Sequence, residues 1–137
     1  SDEVNGGGVL GINNKDGKRV AGIHADEKGG VARVFNNKFT EVVVISADAN
    51  GGVLDVSNKD GQQVASLSAN AIGMGRLSVR NKDGKPVAAV FANPDGGGRL
   101  SIRNKDGQPV ALISSNADGD GEIKTANSKG QNTSETP

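Results

Sequence analysis

An all-β fold assembled from tandem strand-turn-strand units of 22–23 residues is what this sequence predicts, and three observations predict it. Asparagine recurs at Asn14, Asn36, Asn58, Asn81, Asn104 and Asn127, with spacings of 22, 22, 23, 23 and 23 residues. The residues between these points fall into columns of one chemical kind, such as Leu10, Ala32, Leu54, Leu77, Leu100 and Ile123. The chain also holds 21 Gly against three Phe and no Trp or Tyr, so turns are frequent and the core must be built from small aliphatic groups. Matched columns at this period mark a repeat architecture in which each unit covers its neighbour's open edge.

The unit is clearest from Leu100 to Gly119. Leu100 and Ile102 alternate with Ser101 and Arg103, the period-two pattern of a strand with one apolar face. Asn104-Lys105-Asp106-Gly107 then predicts a type I turn, with Asn opening it and Gly taking the positive φ that closes it. Val110, Ala111 and Ile113 form the second strand, whose apolar set continues to the small Ser115. A second turn follows at Asn116-Ala117-Asp118-Gly119. In the other units this second turn opens at Asp26, Asp48, Asn70 and Asn93, always 12 residues after the first-turn Asn. The extra residue of the later copies therefore lies in the Gly-rich half, where EKGGV and ANGGV give way to IGMGR and PDGGGR. A surface turn absorbs an insertion, whereas a strand would flip every later side chain.

Second-strand columns run Val20, Val42, Val64, Val87, Val110 and Ile23, Ile45, Leu67, Val90, Ile113. In the second copy NNKFTE replaces the NKDG turn, so Phe39 stands where Gly is expected. Phe39 reads either as a partner contact or, in the reading we favour, as drift that leaves it capping an apolar patch with Phe35.

Domain organisation follows from the columns: a lead-in at residues 1–7, one β-repeat domain over 8–125 with five full units and a partial sixth, and a polar tail at 126–137 expected to be flexible. The opening at Ser1, without Met or a signal-like stretch, suggests a fragment of something longer. Sixteen Lys and Arg balance 16 Asp and Glu, which argues against a general nucleic-acid binder. No apolar run approaches the ~18 residues of a membrane span. With no Cys there are no disulfides or thiolate metal sites.

Three arrangements accommodate the units: a parallel β-solenoid (β-helix), an antiparallel meander, and a β-prism walled by three chains. A hairpin register that pairs Asn81 with Lys85 sets Val79 opposite Val87 and sends Ala88 and Val90 to the other face. Both faces of the second strand then require cover, which a single-layer meander cannot supply. A self-assembling solenoid or a trimeric prism is therefore the expected architecture.

The repeat [GR]-x-L-x-[VI]-x-N-K-D-G-x-x-V-A-x-[IL], running from Gly8 to about Thr125, resembles the Asp/Asn-Gly-punctuated β-repeats in shafts of phage tail fibres, spikes and similar trimeric bacterial surface proteins. The resemblance implies a homotrimeric, stable, rod-like spacer without catalysis or cofactor, on a cell or virion surface. It departs from the octapeptide pattern of needle-type triple β-helices. The alternative function is a surface module binding a glycan or another ligand on a single-chain solenoid.

No catalytic residue is nominated. His24 is the single His and occupies an ordinary strand position equivalent to Ser46 and Ser68. Asn116, Asp118 and Asp120, followed by Gly121, match the first half of a calcium loop, but position twelve is Asn127 instead of a bidentate Glu and no helix flanks it. The plainer reading there is an acidic Gly-rich turn. Arg76, Arg80, Arg99 and Arg103 cluster on the polar face of two neighbouring units, and read either as a solvated face paired with nearby Asp or as an anion site. The DGGGR stretch lacks the following helix that a phosphate cradle uses. Thr occurs at four positions, too few for the flat Thr column of an ice-binding surface.

Overall fold

In a computed structural model, residues 8–116 and 118–134 are described. The lead-in at 1–7, Ala117 and the last three residues of the polar tail lie outside them. Eleven strands follow one another: β1 (Val9–Asn13), β2 (Arg19–Asp26), β3 (Gly29–Phe35), β4 (Glu41–Asp48), β5 (Gly51–Ser57), β6 (Gln63–Ala69), β7 (Gly75–Arg80), β8 (Pro86–Ala92), β9 (Gly98–Arg103), β10 (Pro109–Ser115) and β11 (Gly121–Thr125). No helix occurs among the described residues. The strands form one open sheet in sequence order, each antiparallel to its neighbours. Within one chain this is the pairing of a meander.

The two sequence turns lie at opposite ends of the strands. At the Asn-Lys-Asp-Gly end, the Asn81 carbonyl accepts from the Gly84 N–H at 3.0 Å while the Asn81 N–H donates to the Lys85 carbonyl at 2.9 Å. The Asn81 side-chain oxygen accepts from the amides of Asp83 and Lys85, which leaves two backbone donors satisfied by one side chain. Gly84 closes the turn at φ 75°. The same pattern recurs at Asn14, Asn58 and Asn104. At the other end the inserted residue is visible. Ala25 pairs with Gly30 around a two-residue turn, whereas Ala69 pairs with Gly75 around a turn one residue longer, and the register beyond is unchanged. Residues 126–134 carry the pattern on, with a turn at Asn127–Gly130 and a bridge between Ala126 and Asn132.

The register corrects the expected facing of the second strands. Arg80 is opposite Pro86, but Val79 is opposite Ala88, so Val87 is an extra residue held in a β-bulge. Bulges at the same place leave Val20, Val42, Val64 and Val110 as the extra residues of the other hairpins. The bulge restores the phase after two adjacent apolar residues. Ala88 and Val90 therefore share a face with Val79 and Leu77 instead of opposing it, and the requirement for cover on both faces of the second strand falls away.

One face is consequently apolar in three rows that cross the sheet, with Ser115 and Thr125 as polar members at the β10–β11 end. The middle row passes from Leu10 through Ile23, Ala32 and Ile45 to Ile113 and Ile123, touching all eleven strands. Toward the Asn turns runs a row in which Val or Ile mostly alternates with Ala, as at Val56, Ala65, Val79 and Ala88. Toward the Gly-rich turns runs a row of Ala facing Gly, as at Ala47–Gly52 and Ala92–Gly98. Twelve of the fifteen most exposed large apolar side chains stand on this face, up to 61% for Leu10 and 66% for Ile123.

The opposite face is mixed in chemistry and better covered. Among the described residues the four that are buried, Val31 (3%), Ser78 (4%), Ser101 (6%) and Ala89 (8%), all stand on it by register. A one-layer sheet buries them because long side chains lie over small ones, their apolar stems shielding the floor while their charged ends stay wet.

Candidate interaction surfaces

The apolar face offers dispersion contact and loss of water, with no titratable group in its three rows. Its apolar character comes from the sequence: small Ala and Gly residues line one margin, and the bulges keep each apolar doublet, Val42–Val43 in β4 and Val–Ala in the other second strands, from throwing a polar residue into the rows.

The mixed face carries charge at several places, among them the Arg33–Glu41 and Lys124–Glu122 pairs, and four of its arginines gather in one. Arg76, Phe91 and Arg99 are opposite one another on β7, β8 and β9. Arg80 and Arg103 stand four residues further along the same two outer strands. The four arginines thus frame a floor made of Ser78, Ala89 and Ser101, which pair across the three strands. Arg99 lies over the Phe91 ring at 5.7 Å from its centroid. Arg80 donates to the Gln63 side chain at 3.1 Å and to the Gly84 carbonyl at 2.9 Å, and Arg103 donates to the Gly107 carbonyl at 2.9 Å. Gln63 in turn donates to Asp55, the one indirect link from the frame to a carboxylate. Among the described residues no carboxylate lies within 4.0 Å of any of the four, so the expected pairing with nearby Asp does not form. Asp83 pairs with the turn Lys82 instead, whose ammonium, through a hydrogen bond and its charge, holds the Asp83 carboxyl below its ordinary range. A cavity of about 330 Å³ opens beside the floor, lined by Arg76, Phe91, Ser101 and Arg103 with Asn70 and Pro94 from the turns.

The calcium-loop candidates occupy a turn like the others. The Asn116 side-chain oxygen accepts from the amides of Asp118 and Asp120 at 3.0 and 2.9 Å, so it faces its own backbone. Among the described residues no group of three or more His, Asp or Glu side chains is placed to hold a metal. His24 pairs with Val9 and Val31 across the sheet, away from the arginine frame. Phe39 keeps the turn its Gly would have made, donating its N–H to the Asn36 carbonyl at 2.9 Å at φ 63°, with Lys18 over its ring at 4.6 Å.

The arginine cluster was visible in the sequence, but Phe91 between the arginines was not. A signal existed: Phe91 breaks a column otherwise filled by His24, Ser46, Ser68 and Ser114 in the same copies' second strands. No protein-family model matches the chain, and no curated protein matches it in sequence.

Proposed function

We propose that this protein is a non-enzymatic structural shaft or spacer that self-assembles as a rod-like homotrimer, with the apolar face of each sheet turned inward as one wall of a prism. The observation that carries the reading is an apolar face spanning all eleven strands that nothing among the described residues covers. Three rows ~7 Å apart over strands ~4.8 Å apart span on the order of 800–1,000 Å². That matches one partner's share, ~800 Å², of a stable interface.

The order of side-chain sizes favours three walls over two. Two sheets packed face to face keep a nearly uniform gap of ~10 Å, which an Ala–Gly row would leave empty. Three walls of seven-residue strands, each ~24 Å wide, leave ~7 Å from the middle of a wall to the axis and close toward the corners. Large residues belong in the middle of such a wall and small ones at its margins. The Leu/Ile row lies between the Val/Ala row and the Ala/Gly row, which is that order. A closed cyclic arrangement also removes the exposed apolar surface with one interface type.

Light scattering coupled to size-exclusion chromatography tests this directly. The expected result at micromolar protein is a mass near three times 13.9 kDa. A folded monomer would overturn the shaft reading, and a dimer would replace the prism by a sandwich.

A further inference from the structure

We propose that the frame of Arg76, Arg80, Arg99 and Arg103 on the outer face of β7, β8 and β9 binds an acidic polysaccharide, an extended sugar chain bearing carboxylate or sulfate groups. The proposal goes beyond the shaft reading and does not depend on it, because the frame stands on the face opposite the apolar rows and lies within one chain.

Four observations converge. The frame is a local departure in a repetitive molecule: the positions of Arg76 and Arg80 are filled by Val31 and Phe35 in β3 and by Val53 and Ser57 in β5. Its charge is uncompensated, with no carboxylate within 4.0 Å among the described residues. Glu122, in the same cross-strand row as Arg99, is one strand further on than Ser114 and is held by Lys124 at 2.7 Å. Arg76 and Arg99 also lack a hydrogen-bond partner in the protein among the described residues, so their guanidinium forks are available to a ligand's oxygens. Beneath them the Ser78 hydroxyl is buried, 4% exposed, and without a hydrogen-bond partner among the described residues, a polar group left unmet directly under the frame.

Dimensions and chemistry select the ligand. Arg76 and Arg99 are two strand spacings apart, ~10 Å, and each stands four residues, ~13 Å, from Arg80 or Arg103. A single small anion reaches one such fork, whereas an extended polymer with regularly placed acidic groups reaches several. The floor residues Ser78, Ala89 and Ser101 are small and buried, so the guanidinium groups at the margins, not the floor, meet a ligand lying along the frame, which suits a chain of pyranose rings that carries its acidic groups on its edges. Single-stranded nucleic acid relies on open aromatic platforms, and the one ring here already lies under Arg99.

The test is a binding titration by fluorescence anisotropy with three labelled probes: a heparin-derived octasaccharide, an octagalacturonate and a neutral maltooctaose. One acidic probe or both should bind while the neutral chain does not, and the arm that binds identifies sulfate or carboxylate. Arg76→Ser with Arg99→Ser should weaken binding at least about tenfold and lower the salt dependence by roughly two in the log–log slope. Lys15→Ser with Lys59→Ser, equal in charge but outside the frame, should leave affinity within about twofold. Arg76→Lys with Arg99→Lys, which keeps charge and the fold while removing the forks, should fall between. Binding by neither acidic probe, equal binding by the Arg76→Ser, Arg99→Ser variant, or tighter binding of a single-stranded oligonucleotide of equal charge would each overturn the proposal. The solution mass of the same sample is recorded separately, so a failed trimer and a failed site are distinguishable.

Discussion

The two faces of this sheet differ in a way that inverts the usual distribution. The apolar face repeats faithfully, copy after copy, and stands open; the mixed face varies freely, and holds every buried residue among those described. A face that repeats without covering itself presents the same rows of side chains at every step along the sheet. A face that varies and covers itself is free to specialise locally, as it does around Phe91. Uniformity along the rows and variation across the faces are therefore two separate constraints on the same residues, alternating along every strand.

The largest expected effect breaks the apolar face. Leu54→Glu with Leu77→Glu places charges in the middle row; burial of an unpaired charge costs about 3 kcal/mol or more, so the trimer proposed above should dissociate. Sedimentation velocity reads the loss of mass. The same charge at Ser68, on the mixed face opposite Arg76, should leave the mass unchanged, and equal dissociation by both would erase the distinction between the faces.

Gly96→Val tests the turns that hold both faces in phase. Gly96 has φ 90° and open space around a would-be Cβ, so the cost is backbone strain alone, about 1–2 kcal/mol. A thermal melt should show the lowered midpoint; an unchanged one would remove the turn from the account. Phe39→Gly runs in the other direction. Relief of a left-handed Phe, less the Lys18 contact and the added freedom of the unfolded chain, should raise stability by roughly 0.5–1 kcal/mol. Chemical denaturation curves resolve that gain, and a loss would mean that Phe39 contributes more packing than its position suggests.

The smallest effect belongs to the mixed face. Glu41→Gln removes the partner of Arg33, paired at 2.7 Å with both side chains part exposed, and should cost no more than about 1 kcal/mol. A larger loss would show that this face, too, depends on specific pairs and not merely on long side chains lying over small ones.

Strands and turns were legible because each is written in a residue with one physical purpose: Asn81 satisfies two amides, Gly84 adopts a positive φ, and the inserted residue falls where no strand is shifted. The facing of the second strands was not. Val87 and Ala88, adjacent and both apolar, read as two covered faces when each residue is assumed to alternate. The backbone places Val87 in a bulge, a device that leaves no residue signature beyond the doublet itself. The arginine frame was half legible: sequence spacing groups the four residues, but only the cross-strand register sets Phe91 between two of them, and only the folded chain leaves all four without a carboxylate partner among the described residues. The open apolar face followed once the register was known, since no spacing in one chain reports that a second layer is missing.

Every strand here touches only the strands just before and after it in sequence. Forming any one pairing closes a loop of a few residues, so the entropy lost at each step is small and nearly the same along the molecule. Such a sheet can begin at any hairpin and zip in both directions, quickly for an all-β chain because no distant segments have to find one another. Copy number then becomes a length setting: adding or deleting one unit changes the sheet by two strands, ~10 Å, without altering a contact elsewhere.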